Sequence, residues 1–152
     1  MKKAISPVIA TVIIVAVTIA IAIAVALWMT GLVGSFTGTE NLQIVSAYAT
    51  KNTDGTWTIY LEVKNVGTVD VTIDNIFVNG VPVSSVTNVQ TISYTYSPTT
   101  TSVNPNNINI PIKTGGTIKM NIIVKDYTPG QMLEIKLHSA AGKEYPKQVT
   151  LP

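Results

Sequence analysis

The sequence predicts an α+β chain in which one long hydrophobic N-terminal α-helix is followed by an all-β sandwich. Three observations carry this prediction. No residue between Ala4 and Thr39 bears a side-chain charge, charged residues are only 12% of the chain, and short β-rich runs separated by turn signals fill the sequence after Glu40. Typical soluble domains are about one quarter charged, so part of this molecule avoids water.

The helix comes first. From Val8 to Met29 only Thr11 and Thr18 interrupt the apolar residues. A helix over the uncharged stretch would be about 54 Å long, whereas a bilayer core needs about 30 Å. The alternation in "TIAIAIAVALW" (Thr18 to Trp28) also suits a strand. A lone strand in lipid would leave its amides unpaired at several kcal/mol each, so the helix is preferred. Ser6 suits the N-cap and Pro7 the first turn, where a missing N–H costs nothing. Trp28 stands where an aromatic interface anchor would. Gly31, Gly34 and Gly38 are expected to loosen the helix, mark its exit and serve as a hinge.

The strands follow. The runs are Leu42 to Lys51, Thr56 to Asn65, Asp70 to Gly80, Val89 to Tyr96, Gly116 to Asp126, Met132 to Ser139 and Glu144 to Pro152. In "TWTIYLEV", Trp57, Ile59, Leu61 and Val63 share one face, a period of two. Asp54-Gly55, Asn79-Gly80, Gly115-Gly116 and Pro129-Gly130 are among the turns between runs. About seven short strands at this spacing predict an immunoglobulin-like sandwich. The polar, proline-interrupted segment "SPTTTSVNPNNINIP" (Ser97 to Pro111) is expected to be a long surface loop.

Composition excludes several functions. With no cysteine there are no disulfides, thiolate metal sites or cysteine nucleophiles. All ten basic residues are lysine, and Lys2 and Lys3 precede the apolar run, leaving eight lysines against eight acids beyond it. A neutral exterior argues against a nucleic-acid groove. Serine and threonine number 30, in keeping with solvent-facing strand positions or with O-linked sugars, and no Asn-X-Ser/Thr sequon occurs. The lone histidine, His138, is expected to be a surface or packing residue. Asp70 and Asp74, about 13 Å apart on an extended strand, are too far apart to share a cation. "TGTE" (Thr37 to Glu40) and "TGGT" (Thr114 to Thr117) read as turns. Tyr94, Tyr96, Tyr127 and Tyr145 are expected to pack in the core or at strand edges, with an adhesive exterior as the alternative. No catalytic set, metal site or cofactor is expected.

The opening stretch fits no ordinary signal peptide, whose apolar core is about 7–15 residues and ends in a small-residue cleavage site. "KKAISPVIATVIIVAVTIAIA" (Lys2 to Ala22) instead resembles the N-terminal region of archaeal type IV pilins. In that family a short basic leader ends in a small residue, and a membrane-embedded prepilin peptidase cuts before the apolar run. The resemblance implies a leader over 1–4, cleavage between Ala4 and Ile5, and Ser6-Pro7-Val8-Ile9 as the opening motif. "LEVKNVGTVDVTIDNIFVNG" (Leu61 to Gly80) is similar to a strand-turn-strand stretch of pilin and archaellum-subunit sandwiches. Bacterial type IV pilins usually carry a glutamate five residues into the mature chain; here that position is Ile9, so no docking role for it transfers.

The expected organisation is a leader over 1–4, an assembly or transmembrane helix with its hinge over 5–39, and a surface sandwich over 40–152. A helix apolar on all sides must be buried in lipid or against other helices. Ala10, Ala16, Ala20, Ala22, Ala24 and Ala26 would let neighbouring helices approach closely. The resemblance implies a homo-oligomeric helical filament for adhesion, inserted in the membrane before assembly and displayed at the cell surface. The prepilin peptidase, an assembly ATPase and a membrane platform protein would be its partners. The rival expectation is a single-pass, membrane-anchored β-sandwich binding protein that never polymerises.

Overall fold

The computed structural model describes residues 6–36 and 38–152. The expected leader, Met1 to Ala4, and its junction with Ile5 lie outside the described residues. The chain divides into two compact units, Met1–Gly38 and Thr39–Pro152.

The first unit is one helix, α1 (Pro7–Phe36). The Ser6 carbonyl accepts the N–H groups of Ile9 (2.9 Å) and Ala10 (3.2 Å), so Ser6 is the N-cap and Pro7 the first helical residue. The helix runs through Gly31 and Gly34 before ending at Phe36, and Gly38 follows it. Neither terminal turn carries a side chain whose charge would offset the helix dipole.

The second unit is a sandwich of ten strands: β1 (Leu42–Lys51), β2 (Trp57–Asn65), β3 (Val71–Val78), β4 (Val81–Pro82), β5 (Val89–Tyr96), β6 (Thr99–Val103), β7 (Ile110–Ile112), β8 (Thr117–Val124), β9 (Met132–Ser139) and β10 (Glu144–Thr150). One sheet has the order β1-β2-β8-β5-β6 and the other β10-β9-β3-β4, with β7 also paired to β3. Every pairing is antiparallel. All seven expected runs form strands.

The three additional strands are short. One of them, β6, lies within the segment from Ser97 to Pro111 and another, β7, begins in it at Ile110, correcting its reading as a loop. Ile110 and Ile112 are fully buried and Ile108 nearly so, which gives this polar-looking stretch a hydrophobic anchor. Pro111 between them lacks an amide donor, and β7 sits on an edge of β3 where that lack is tolerated.

The inward faces alternate as a half-buried strand requires: Trp57, Ile59, Leu61 and Val63 from β2, then Ile118, Met120, Ile122 and Val124 from β8. They meet Leu133, Ile135 and Leu137 of β9 and the apolar side of β3 in one core. In β3 the alternation slips. Val71 and Ile73 are buried, then Ile76 and Val78, because a bulge between Ile73 and Asn75 inserts one residue. Asn75 Oδ1 accepts the Ile76 N–H at 2.8 Å within this irregularity.

One buried polar residue ties the sheets together. Asn65 Nδ2 donates to the carbonyls of Val69 (2.8 Å) and Ile112 (3.1 Å), while its Oδ1 accepts the Gly67 N–H at 2.9 Å. Gly67 is required beside it: a Cβ there would collide with the Thr39 carbonyl oxygen and lie 2.7 Å from the Asn41 nitrogen. Asn65→Ala removes all three side-chain hydrogen bonds at this buried position, leaving Gly67 N–H only its bond to the Asn41 carbonyl at 3.1 Å. It should lower stability by about 3 kcal/mol, read as an earlier thermal transition of the full chain in detergent. Asn106→Ala, at an exposed loop position, should change it by no more than about 0.5 kcal/mol.

Candidate functional site

Over Pro7–Leu32 the three threonine hydroxyls of α1 turn inward to its own backbone. Thr11 Oγ1 donates to the Val8 carbonyl (2.8 Å), Thr18 Oγ1 to Ile14 (2.7 Å), and Thr30 Oγ1 to Ala26 and Leu27 (3.0 Å each). Each hydroxyl is returned to the helix's own backbone, as threonine can do at i−3 and i−4. What remains outward over Pro7–Leu32 is hydrocarbon apart from the indole N–H of Trp28: Val8, Leu27 and Trp28 are each more than two thirds exposed. The span Pro7–Leu32 is long and apolar enough to cross a membrane.

The six alanines do not form one stripe. At about 100° per residue, Ala16, Ala20 and Ala24 fall in one i, i+4 row, with Gly31 a heptad beyond Ala24 on the same side. Ala22 and Ala26 form a second row on roughly the opposite side. Ala10 lies two heptads from Ala24, nearer the first row. The helix thus offers two lines of close approach.

In the sandwich, each polar residue singled out above has its own partners. His138 Nδ1 lies 2.6 Å from Asp74 Oδ1, and its ring meets Phe77 edge-on at 6.3 Å. Lys136 lies 5.2 Å from the Phe77 ring centre and 3.1 Å from Glu144 Oε2. Asp70 accepts the Thr114 N–H (2.8 Å), the Thr114 hydroxyl (3.2 Å) and Lys113 Nζ (3.0 Å), so "TGGT" is a turn pinned by a carboxylate. In "TGTE", Glu40 Oε2 accepts the Ser139 hydroxyl and its carbonyl accepts Lys143 Nζ, both at 2.7 Å. Among the described residues no three His, Asp or Glu side chains converge as metal ligands would. Nor do a nucleophile, base and orienting group meet there.

Tyr94, Tyr127 and Tyr145 pack against the core, and Tyr96 is 40% exposed. The residues missed by sequence reasoning are Tyr48 and Tyr60. Their rings stack on the outer face of the first sheet, with centroids 4.9 Å apart and planes within 16°. They stand beside a cleft of about 310 Å³. The available signal was the polar half of "TWTIYLEV", which places Tyr60 and Glu62 opposite the buried residues.

No family model matches the chain, and no curated protein does. Solved structures similar to it include the archaellum periplasmic stator protein FlaG from Sulfolobus acidocaldarius, 15% identical over 72% of this chain and 99% of that one, with a TM-score of 0.43. The stator complex of FlaF and FlaG from the same organism is 16% identical over 70% of this chain and 86% of that one, with a TM-score of 0.38.

The Asp70 turn has a definite pH signature. The Thr114 amide first, and then Lys113, hold the Asp70 carboxyl below its ordinary value. A group depressed in the folded state contributes stability above its unfolded pKa, about 3.9, and loses it as pH falls through the lower folded value. Asp70→Asn should therefore lower the melting temperature by a constant amount between neutral pH and about pH 5, with the gap closing below about pH 4.

Proposed function

We propose that this chain is a membrane-anchored β-sandwich protein displayed outside the cell, and that its anchoring helix also assembles it into a type IV pilin-like filament. One observation carries the first part: a 30-residue helix whose threonine hydroxyls are all bonded to its own backbone, leaving an almost wholly hydrocarbon surface over Pro7–Leu32. Such a surface belongs in lipid or among like helices. Lys2 and Lys3 would stay on the cytoplasmic side by the positive-inside rule, placing the sandwich outside.

The filament is the finer reading. It is supported by the "KKAISPVI" opening and by the row of Ala16, Ala20 and Ala24, which suits close helix approach. Identical subunits joined by heterologous, non-closing contacts form an open helical polymer. Adhesion would then be the work of the sandwiches on its outer wall, with Gly31, Gly34 and Gly38 accommodating their placement. The prepilin peptidase, assembly ATPase and platform protein are the partners this reading requires. A tethered monomer that binds its target directly is the second reading, and the same hydrocarbon helix favours it equally.

N-terminal sequencing and sedimentation of protein sheared from the cell surface separate the two. The filament reading expects an N-terminus at Ile5 in sedimenting filaments; an intact Met1 in detergent-soluble monomers would leave the tethered protein. Mutations divide them again. Ala20→Glu costs about 3 kcal/mol at mid-bilayer and should reduce membrane insertion as well as assembly. Ala20→Leu keeps the helix apolar but blocks close approach, so filaments should be lost while the membrane-bound fraction is unchanged.

A further inference from the structure

We propose that the outer face of the first sheet carries a binding cleft for a neutral saccharide, walled by Tyr60 and floored by Asn121 of β8 and Thr95 of β5. The cleft follows from strand register. Across one row, Tyr48 of β1 is paired with Tyr60 of β2, and Tyr60 with Asn121 of β8. Across the next, Glu62 is paired with Lys119, and Lys119 with Thr95 of β5. Two tall aromatic side chains therefore stand next to an amide and a hydroxyl, and the step in height is the cleft. Tyr48, itself 53% exposed, covers one face of the Tyr60 ring and leaves the other on the side of Asn121.

The lining selects the class of ligand. An aromatic face is negative at its centre and positive at its edge, so it attracts the weakly positive C–H face of a pyranose. Glu62, Lys119 and Asn121 can bond the hydroxyls around the ring: a carboxylate accepts two, an ammonium donates, and an amide does both. Among the described residues none of these three side chains is engaged in a hydrogen bond or ion pair, so their capacity is unspent. Glu62 and Lys119 also cancel in charge. That disfavours a cation, which the tyrosines alone would attract, and equally a phosphate or acidic sugar. The volume of about 310 Å³ lies at the small end of the range for ligand pockets, about 300–1,000 Å³, which suits one or two sugar rings. The site does not depend on polymerisation, because a tethered monomer presents the same face.

The test uses the full chain as monomers in a polyoxyethylene detergent, which has no sugar headgroup to compete. Saturation-transfer NMR against maltose, cellobiose, lactose and mannobiose should show saturable binding of at least one at millimolar affinity. Tyr60→Ala should weaken it by about tenfold or more and Glu62→Gln by several-fold, while Tyr60→Phe, which keeps the ring, should stay close to the parent. Asn121→Leu fills the floor without touching the core, and should abolish binding with the melting transition intact, so the conclusion does not rest on how Tyr60→Ala folds. No saturable signal at tens of millimolar sugar, or binding indifferent to both Tyr60→Ala and Asn121→Leu, overturns the proposal. So does self-association by sedimentation velocity that Tyr60→Ala removes in the absence of any sugar binding, which would make this face a contact between copies of the chain.

Discussion

A helix with hydrocarbon on every side cannot be left in water: each exposed methylene costs about 0.8 kcal/mol relative to burial, and α1 presents them from Pro7 to Leu32. This demand organises the rest of the molecule. It separates the chain into a part whose solvent is lipid or other helices and a part whose solvent is water. It also explains why so few charges occur overall, since all but Lys2 and Lys3 lie from Glu40 onward. The sandwich carries its own core, built chiefly of β2, β3, β8 and β9 side chains.

The junction residues show how the sandwich begins. The Thr39 N–H bonds the Thr68 hydroxyl at 2.9 Å, and the Thr68 N–H returns to the Thr39 carbonyl at 2.9 Å. Asn41 accepts the amides of Val66 and Gly67, and Glu40 is held by Ser139 and Lys143. Asn65 and Gly67 shape the turn that receives these bonds. The first residues of the second unit are therefore part of its hydrogen-bonded frame.

How much of this was legible in the sequence depended on length and on phase. The helix was legible because its pattern extends over 30 residues, and β2 because Trp57, Ile59, Leu61 and Val63 keep strict alternation. The segment from Ser97 to Pro111 was misread because β7 spans three residues around a proline and β6 has no fully buried side chain to mark it. In β3 the slip between Ile73 and Ile76 hides a bulge that no periodic template contains. The cleft was illegible for another reason. Tyr48 meets Tyr60 only in the register that follows the bulge between Ile44 and Ser46, and register is a property of two strands together.

The self-bonded threonines of α1 have a mechanical corollary. Over residues 7–27 no side chain offers an outward donor, so along that length no directional bond to a neighbour fixes the helix's azimuth or its height. The first polar handle is the indole N–H of Trp28. Up to that point the helix can rotate or slip along its axis, meeting only the shallow relief of alanine rows between bulkier side chains. A bundle of such helices would behave like a bearing, yielding to axial load by small slides and recovering without any hydrogen bond having been broken.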